Sequence, residues 1–254
     1  MIGKNHASLV LAHGGSLLDT TACICNHTFL PRLIEANSVV LDLGANRGDF
    51  AHAVIERFHC RVVSAEPVKE LYERIPRHSL LELLPVAVGG KNQSTPMNVF
   101  SARCASVLGP INLQEGLTTQ SVKMVTLADL RRHAHANQVD LLKLDIEGAE
   151  IEVFNSCNNV DLQSVMQITV EFHDFLYPEL AKSVIAIRKR MHEIGFWVLP
   201  FSLDNTNVLF VNRKTGLSLA EFVYLRTIVR YGNGARRRFR SRFAQQKSEE
   251  QRLH

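Results

Sequence analysis

Two short stretches concentrate the side chains able to do chemistry. The first, Val39-Val40-Leu41-Asp42-Leu43-Gly44-Ala45-Asn46-Arg47-Gly48-Asp49, is an apolar run holding one acid and ending in a glycine turn. The second, Leu141-Leu142-Lys143-Leu144-Asp145-Ile146-Glu147-Gly148-Ala149-Glu150, is an apolar run around a lysine, again closed by acids and a glycine. Glu66 follows a further apolar run, Arg61–Ala65, and Glu171 and His173 fall at the end of Val165–Phe172. Carboxylates, an ammonium and an imidazole at the ends of buried strands can bind polar ligands, hold a cation or move a proton.

The first stretch reads as a parallel strand entering a glycine turn and then a helix. Glycines there let a ligand approach the backbone, and the free N–H groups of the helix face the same spot. In βαβ nucleotide folds an acid at the end of the second strand takes the two ribose hydroxyls, and Glu66 stands at that place. A dinucleotide site requires Gly-x-Gly-x-x-Gly; here Asn46 replaces the middle glycine and the third is missing. Asp42 would repel a pyrophosphate but suits a cation. S-adenosylmethionine carries a sulfonium, an amino group and a ribose diol, so the turn chemistry favours it over NAD. The plainer alternative is a turn that only joins strand to helix, and Glu66 at the expected spacing argues against it.

In an open parallel sheet the ligand lies beyond the carboxyl ends of the strands. Asp145 and Glu147 are therefore expected beside the donor, across from Gly44. Lys143 is expected inside the strand and must find a partner, with Glu171 as first candidate. Asp145, Glu147, Glu171 and His173 should crowd neighbouring strand ends. Three uses compete: acid–base work on a substrate hydroxyl, with His173 best suited at neutral pH; a divalent cation site; or cofactor binding and turn ordering alone. Acid–base or substrate contact without a metal is the preferred reading.

The elements that position these groups follow from periodicity. The 254 residues, 46% apolar and 21% charged, suffice for one soluble domain with additions. No run approaches a membrane span, and the N-terminus is too polar and short for a signal sequence. Five cysteines at irregular places form no disulfide framework, so reduced thiols in a cytoplasm are the simpler account. Residues 1–37 are expected to be an N-terminal helical segment, with an apolar stripe over Thr28–Ala36 and Pro31 in the first turn. Pro85 should break Leu80–Val88 into two pieces or place it at an edge. Residues 91–121 read as an insertion, a hairpin or flexible loop serving as lid or substrate wall, or a surface excursion. Leu180–Ile194 should be an amphipathic helix with Ile185, Ile187 and Met191 inward. Phe196–Leu199 and Val208–Val211 should form an antiparallel hairpin at the sheet edge, before a C-terminal helix within 214–231. Arginines crowd residues 232–254 in a chain of formal charge +4. That tail is expected to be mobile and solvated, although it could touch nucleic acid or an anionic surface.

Val-Leu-Asp-Leu-Gly-Ala-Asn-Arg-Gly, Glu66, Leu-Leu-Lys-Leu-Asp-Ile-Glu-Gly-Ala-Glu, Glu171-Phe172-His173 and Asn207-Val208-Leu209-Phe210-Val211 together resemble the FkbM family of S-adenosylmethionine-dependent methyltransferases. The resemblance spans roughly residues 38–212, within a methyltransferase domain expected at 38–213, and implies an α/β, Rossmann-like class I methyltransferase sandwich: a mostly parallel seven-stranded sheet with an antiparallel C-terminal hairpin. It implies O-methylation of a hydroxyl on a sugar or natural product. It places the donor at Asp42, Gly44, Asn46, Gly48 and Glu66, with Asp145 alongside. Asp145, Glu171 and His173 are then the candidates on the acceptor side. The alternatives are an NAD-dependent oxidoreductase and a non-catalytic binding protein that keeps the donor pocket.

Overall fold

The computed structural model describes residues 20–101, 104–106, 118–174, 178–201 and 207–229. The arginine-rich tail, residues 1–19 and part of the 91–121 insertion lie outside them. The described chain opens with a hairpin, β1 (Ala22–Ile24) against β2 (His27–Phe29), turned at Cys25 and Asn26, both with positive φ. The helix expected over Thr28–Ala36 does not form. Pro31 nucleates a single 3-10 turn, Pro31–Leu33, and Leu30 and Ile34 on either side are extended. The backbone of Leu30 is satisfied elsewhere: its N–H donates to Gln167 Oε1 (2.8 Å) and its carbonyl accepts from Gln167 Nε2 (3.1 Å). Phe29, Leu30 and Ile34 still bury themselves, so the apolar spacing reports a strap lying on the core.

β3 (Val39–Leu43) runs into the glycine turn and α1 (Asp49–Phe58), which buries Phe50, Ala51, Val54 and Ile55. β4 (Arg61–Ala65), α2 (Lys69–Tyr72), β5 (Leu81–Leu84) and β6 (Ala87–Val88) follow, with Pro85 dividing the last two. Removing the proline's N–H from the ladder ends one sheet and lets the chain start another. β7 (Gln93–Ser101), β8 (Cys104–Ser106) and β9 (Thr118–Val125) build that second sheet in the order β6-β9-β7-β8. The insertion is thus anchored by a parallel β6–β9 pair and a long antiparallel β7–β9 ladder. α3 (Leu127–His133) begins at Thr126, whose hydroxyl accepts from the Asp129 N–H.

β10 (Leu141–Leu144), α4 (Glu150–Ser156), α5 (Asn159–Gln163) and β11 (Gln167–Glu171) carry the second motif. α6 (Ala181–Glu193) buries Val184, Ile187 and Met191; Ile185, expected inward, is exposed because the i, i+3, i+7 row starts one residue earlier. β12 (Phe196–Pro200), β13 (Asn207–Asn212) and α7 (Leu219–Tyr224) complete the domain, the last capped reciprocally by Ser218 and Glu221 and continuing as a π-helical turn, Leu225–Val229.

The main sheet has seven strands in the order β12-β13-β11-β10-β3-β4-β5. Only β13 opposes the rest, and it lies between β11 and β12, so β12 alone forms the edge of the expected edge hairpin. Apolar side chains alternate to two covered faces. One face gathers Leu43, Leu144, Phe154, Phe172 and Phe210; the other gathers Val40, Val62, Leu141, Leu209 and, from the N-terminal strap, Phe29. Strand order reverses between β3 and β10, which opens a crevice at their carboxyl ends.

Candidate functional site

The turn after β3 is dictated by close approach of protein to protein. A Cβ at Gly44 (φ +84°) would lie 1.9 Å from the Asp145 carbonyl oxygen, so β3 and β10 meet there with no room for a side chain. Gly48 (φ +82°) precedes α1, and a Cβ would stand 2.7 Å from Ile75 Cγ2. Asn46 takes the left-handed conformation at φ 52°. Its N–H donates to Glu66 Oε2 (2.7 Å), while Glu66 Oε1 accepts from the Val68 N–H (2.9 Å). Burial raises the Glu66 carboxyl to about 7, against the pull of those two N–H groups, with Asp42 adding to the rise and Lys143 opposing it.

Two cavities meet at this turn. A narrow slot of about 70 Å³ is lined by Gly44, Asn46, Glu66, Val68, Ala87 and Asp145. A wider cavity of about 470 Å³ is lined by Cys25, Asn46, Arg47, Asp49, Lys143 and Asp145. Asn46 and Asp145 are walls of both.

A polar row crosses the sheet beneath the wider cavity. Strand register pairs Ser64 with Asp42, Asp42 with Lys143 and Lys143 with Thr169. Asp42 is fully buried and accepts from Ser64 Oγ (3.2 Å). Lys143 Nζ lies 3.1 Å from Asp42 Oδ1 and 3.8 Å from Asp145 Oδ2, and donates to the Gly44 carbonyl (2.6 Å). Burial alone would lower the Lys143 pKa, but the charges of Asp42 and Asp145 outweigh it and raise it. Lys143 therefore stays an ammonium that ties β3 to β10.

Asp145 is the hub of the other groups. His27 Nε2 lies 3.4 Å from Asp145 Oδ2, and His27 Nδ1 is 3.4 Å from Thr169 Oγ1. His173 Nε2 lies 3.9 Å from Asp145 Oδ1 and 3.3 Å from Glu147 Oε2, and His173 Nδ1 is 3.0 Å from Glu150 Oε1. Burial would raise the Asp145 carboxyl, but His27, Lys143 and His173 bring it down to about 2. Burial would lower the His173 imidazole, but Glu150, Glu147 and Asp145 bring it up to about 9. Glu147 and Glu171 are both raised, first by burial. Two donor sets have atoms within 4.8 Å of one another: Asp145, Glu147 and His173; and His27, Asp145 and Glu171.

The FkbM methyltransferase domain matches residues 42–198, which takes in the glycine turn, the narrow slot and every residue of the wider cavity and the Asp145 cluster named above except Cys25 and His27. The chain belongs to the FkbM methyltransferase family. A curated relative, the hexuronic acid methyltransferase AglP of Haloferax volcanii, is 26% identical over 163 residues; the match covers 63% of this chain and 66% of that protein's length. Among solved structures, the chain resembles an rRNA methylase from Streptococcus thermophilus (10% identity, TM-score 0.40, covering 71% of this chain and 90% of that one). It also resembles the fibrillarin pre-rRNA processing protein of Methanococcus jannaschii (13%, TM-score 0.38, covering 79% and 85%). The α/β sandwich of this FkbM protein is the class I methyltransferase arrangement, with its seventh strand reversed and inserted. Family membership displaces the dinucleotide reading.

Within the FkbM domain, Gly44, Asn46, Glu66 and Asp145 come together as walls of the slot. Asp42 and Gly48, also expected to touch the donor, line neither cavity. Asp42 is taken up by Lys143 and Ser64, and Gly48 serves the packing of Ile75 against α1. The partner of Lys143 is Asp42, reached across the β3–β10 register, and not Glu171. His173 reaches Asp145 and Glu147 as expected, and Glu150, Glu147 and Asp145 raise its imidazole to about 9, which favours the protonated form. His27, Cys25 and Glu150 were missed. Glu150 was visible as the last acid of the motif. His27 and Cys25 gave no local signal, because only the hairpin's docking on β11 and β13 brings them to the site.

Proposed function

We propose that this protein transfers the methyl group of S-adenosylmethionine to a hydroxyl oxygen of a sugar-class small molecule. The observation that carries the reading is the pair of cavities sharing Asn46 and Asp145, with Glu66 held in the slot beside Asn46, where a ribose would meet it. The ribose belongs at the slot, its hydroxyls donating to Glu66. The sulfonium belongs near Asp145, whose depressed pKa keeps it anionic. The acceptor belongs beside Asp145, Glu171 and His173. The name of the Haloferax relative supports a sugar acid. Reduced thiols favour a cytoplasmic site of action.

The sulfonium methyl is already activated, so the protein chiefly aligns the acceptor oxygen behind it. The C–O bond forms as the C–S bond breaks, and the electron pair goes to sulfur. The hydroxyl proton must leave. Glu171, raised by burial and by Asp145, is the better acceptor of that proton, while His173, beside Asp145, orients the substrate. The test is a methyl-transfer assay with the full chain over neutral sugars, uronic acids and non-sugar alcohols, read by the mass of the product. Methylated sugar with S-adenosylhomocysteine supports the reading. Donor binding without any product would instead favour a non-catalytic binding protein.

A further inference from the structure

We propose that Asp145, Glu147 and His173 form a divalent-cation site that binds the acceptor next to the methyl donor. This deepens the methyl-transfer reading and rests on it for what the ion does, though not for whether the ion binds. Two of the donor separations are 3.3 Å (Glu147 Oε2 to His173 Nε2) and 3.9 Å (Asp145 Oδ1 to His173 Nε2), and all three atoms lie within 4.8 Å of one another. Around Mg²⁺, Mn²⁺ or Ca²⁺, with metal–oxygen bonds of about 2.1–2.5 Å, adjacent ligands stand about 3.0–3.5 Å apart. Small side-chain rotations bring this set to that spacing.

The donors are of mixed type and come from separate segments: the end of β10, the following turn, and the residues after β11. Their imidazole is held as metal-binding histidines are held. Glu150 Oε1 is 3.0 Å from His173 Nδ1. Glu150 is 1% exposed, and its carboxylate is itself fixed by the N–H groups of Ile146 (3.0 Å) and Gly148 (3.2 and 3.1 Å). A carboxylate on Nδ1 turns Nε2 toward the two acids, and such outer partners fix ring orientation and ligand basicity in metal sites.

The charge balance points the same way. Lys143 is 3.1 Å from Asp42 and donates to the Gly44 carbonyl, and stands farther from Asp145, at 3.8 Å. Asp145, Glu147, Glu150 and Glu171 surround His173 and His27 with an excess of negative charge, which a divalent cation relieves. The site is also reachable: Asp145 and Glu147 side chains are 30% and 37% exposed, and both line the donor slot. Three protein ligands on one side leave the others open to two oxygens of a vicinal diol or a hydroxy-carboxylate, which sugars and sugar acids both offer. Oxygen-rich ligation with one imidazole fits Mn²⁺ or Mg²⁺. The bound hydroxyl is acidified, its proton passes to Glu171 or solvent, the alkoxide takes the methyl, and sulfur keeps the electron pair.

Mn²⁺ is the probe. The chelator-treated full chain is titrated with Mn²⁺ while free Mn²⁺ is followed by electron paramagnetic resonance, and S-adenosylmethionine binding is measured separately by calorimetry. One Mn²⁺ per chain, displaced by excess Mg²⁺, is expected. Glu147→Gln and His173→Ala should each weaken Mn²⁺ at least tenfold, with thermal melting as the control for folding. Glu147 is exposed enough that its variant keeps the fold even where the histidine variant does not. No bound Mn²⁺ in the wild type, or wild-type affinity in a folded Glu147→Gln, overturns the site. Donor binding with no Mn²⁺ sinks the ion alone, whereas Mn²⁺ binding with no donor binding sinks the methyl-transfer reading.

Discussion

Lys143 presents its ammonium to Asp42, Asp145 and the Gly44 carbonyl while its own side chain is only 4% exposed. Removing one partner of such a pair leaves a buried charge uncompensated. Lys143→Met should cost about 3–5 kcal/mol in urea denaturation. The double variant with Asp42→Asn should recover most of that loss, because the fully buried carboxylate is then no longer stranded. If the single and double variants unfold alike, the pair is not what holds β3 to β10. Glu66 gives a pH dependence of defined sign. Its carboxyl sits at about 7 in the folded protein against an ordinary 4.5, so the folded state binds the proton more tightly. The stability it contributes is complete below its ordinary value and is lost as the pH rises through about 7, a change of about 3 kcal/mol in the donor-free protein. A ribose diol donates to the ionised form. S-adenosylmethionine affinity should therefore rise over the same window, with proton release visible by calorimetry in buffers of different ionisation enthalpy.

The N-terminal hairpin is the element whose role the local pattern concealed. It delivers His27 to Asp145, and just past it the buried Gln167 side chain satisfies both backbone groups of Leu30. Gln167→Leu should strand that N–H and carbonyl at a cost of about 1–3 kcal/mol. Hydrogen exchange at the Leu30 amide should accelerate more than exchange in β3 or β10, and turnover should fall with it. Uniform acceleration across the sheet would mean that Gln167 serves global stability and does not hold the strap. The periodic signal over Thr28–Ala36 was real, but it reported contact with the core and not a helix, because Pro31 allows only one 3-10 turn. Pro85 was read correctly for the converse reason: a missing N–H acts locally, whatever surrounds it.

At the scale of the molecule, the sheet order puts the turn after β3, the end of β4 and the turn after β10 at one crevice. A ligand spanning that crevice should stabilise the fold as a whole. S-adenosylmethionine at about 100 times its Kd should add about 2.7 kcal/mol, raising Tm by about 5–10 °C for a domain of this size. NAD should leave Tm unchanged, and equal shifts by both compounds would remove the case for a methyl donor. Among the described residues no helix is long and apolar enough to cross a membrane.

The sequence alone determined what depends on neighbours along the chain. Strand, glycine turn, helix and terminal acid follow from local sterics and periodicity, so Gly44, Asn46, Glu66 and Asp145 could be placed at one crevice, and the motifs carried the family. Only the tertiary structure decided which acids face the crevice and which are paired inside the sheet. Asp42 and Asp145 look alike in their motifs, yet strand register buries the first against Lys143 and leaves the second as a wall of both cavities. His27 lies 118 residues from Asp145 and meets it only because the hairpin docks across β11. Register and docking are set by burial summed over the whole chain, so no window of sequence contains them.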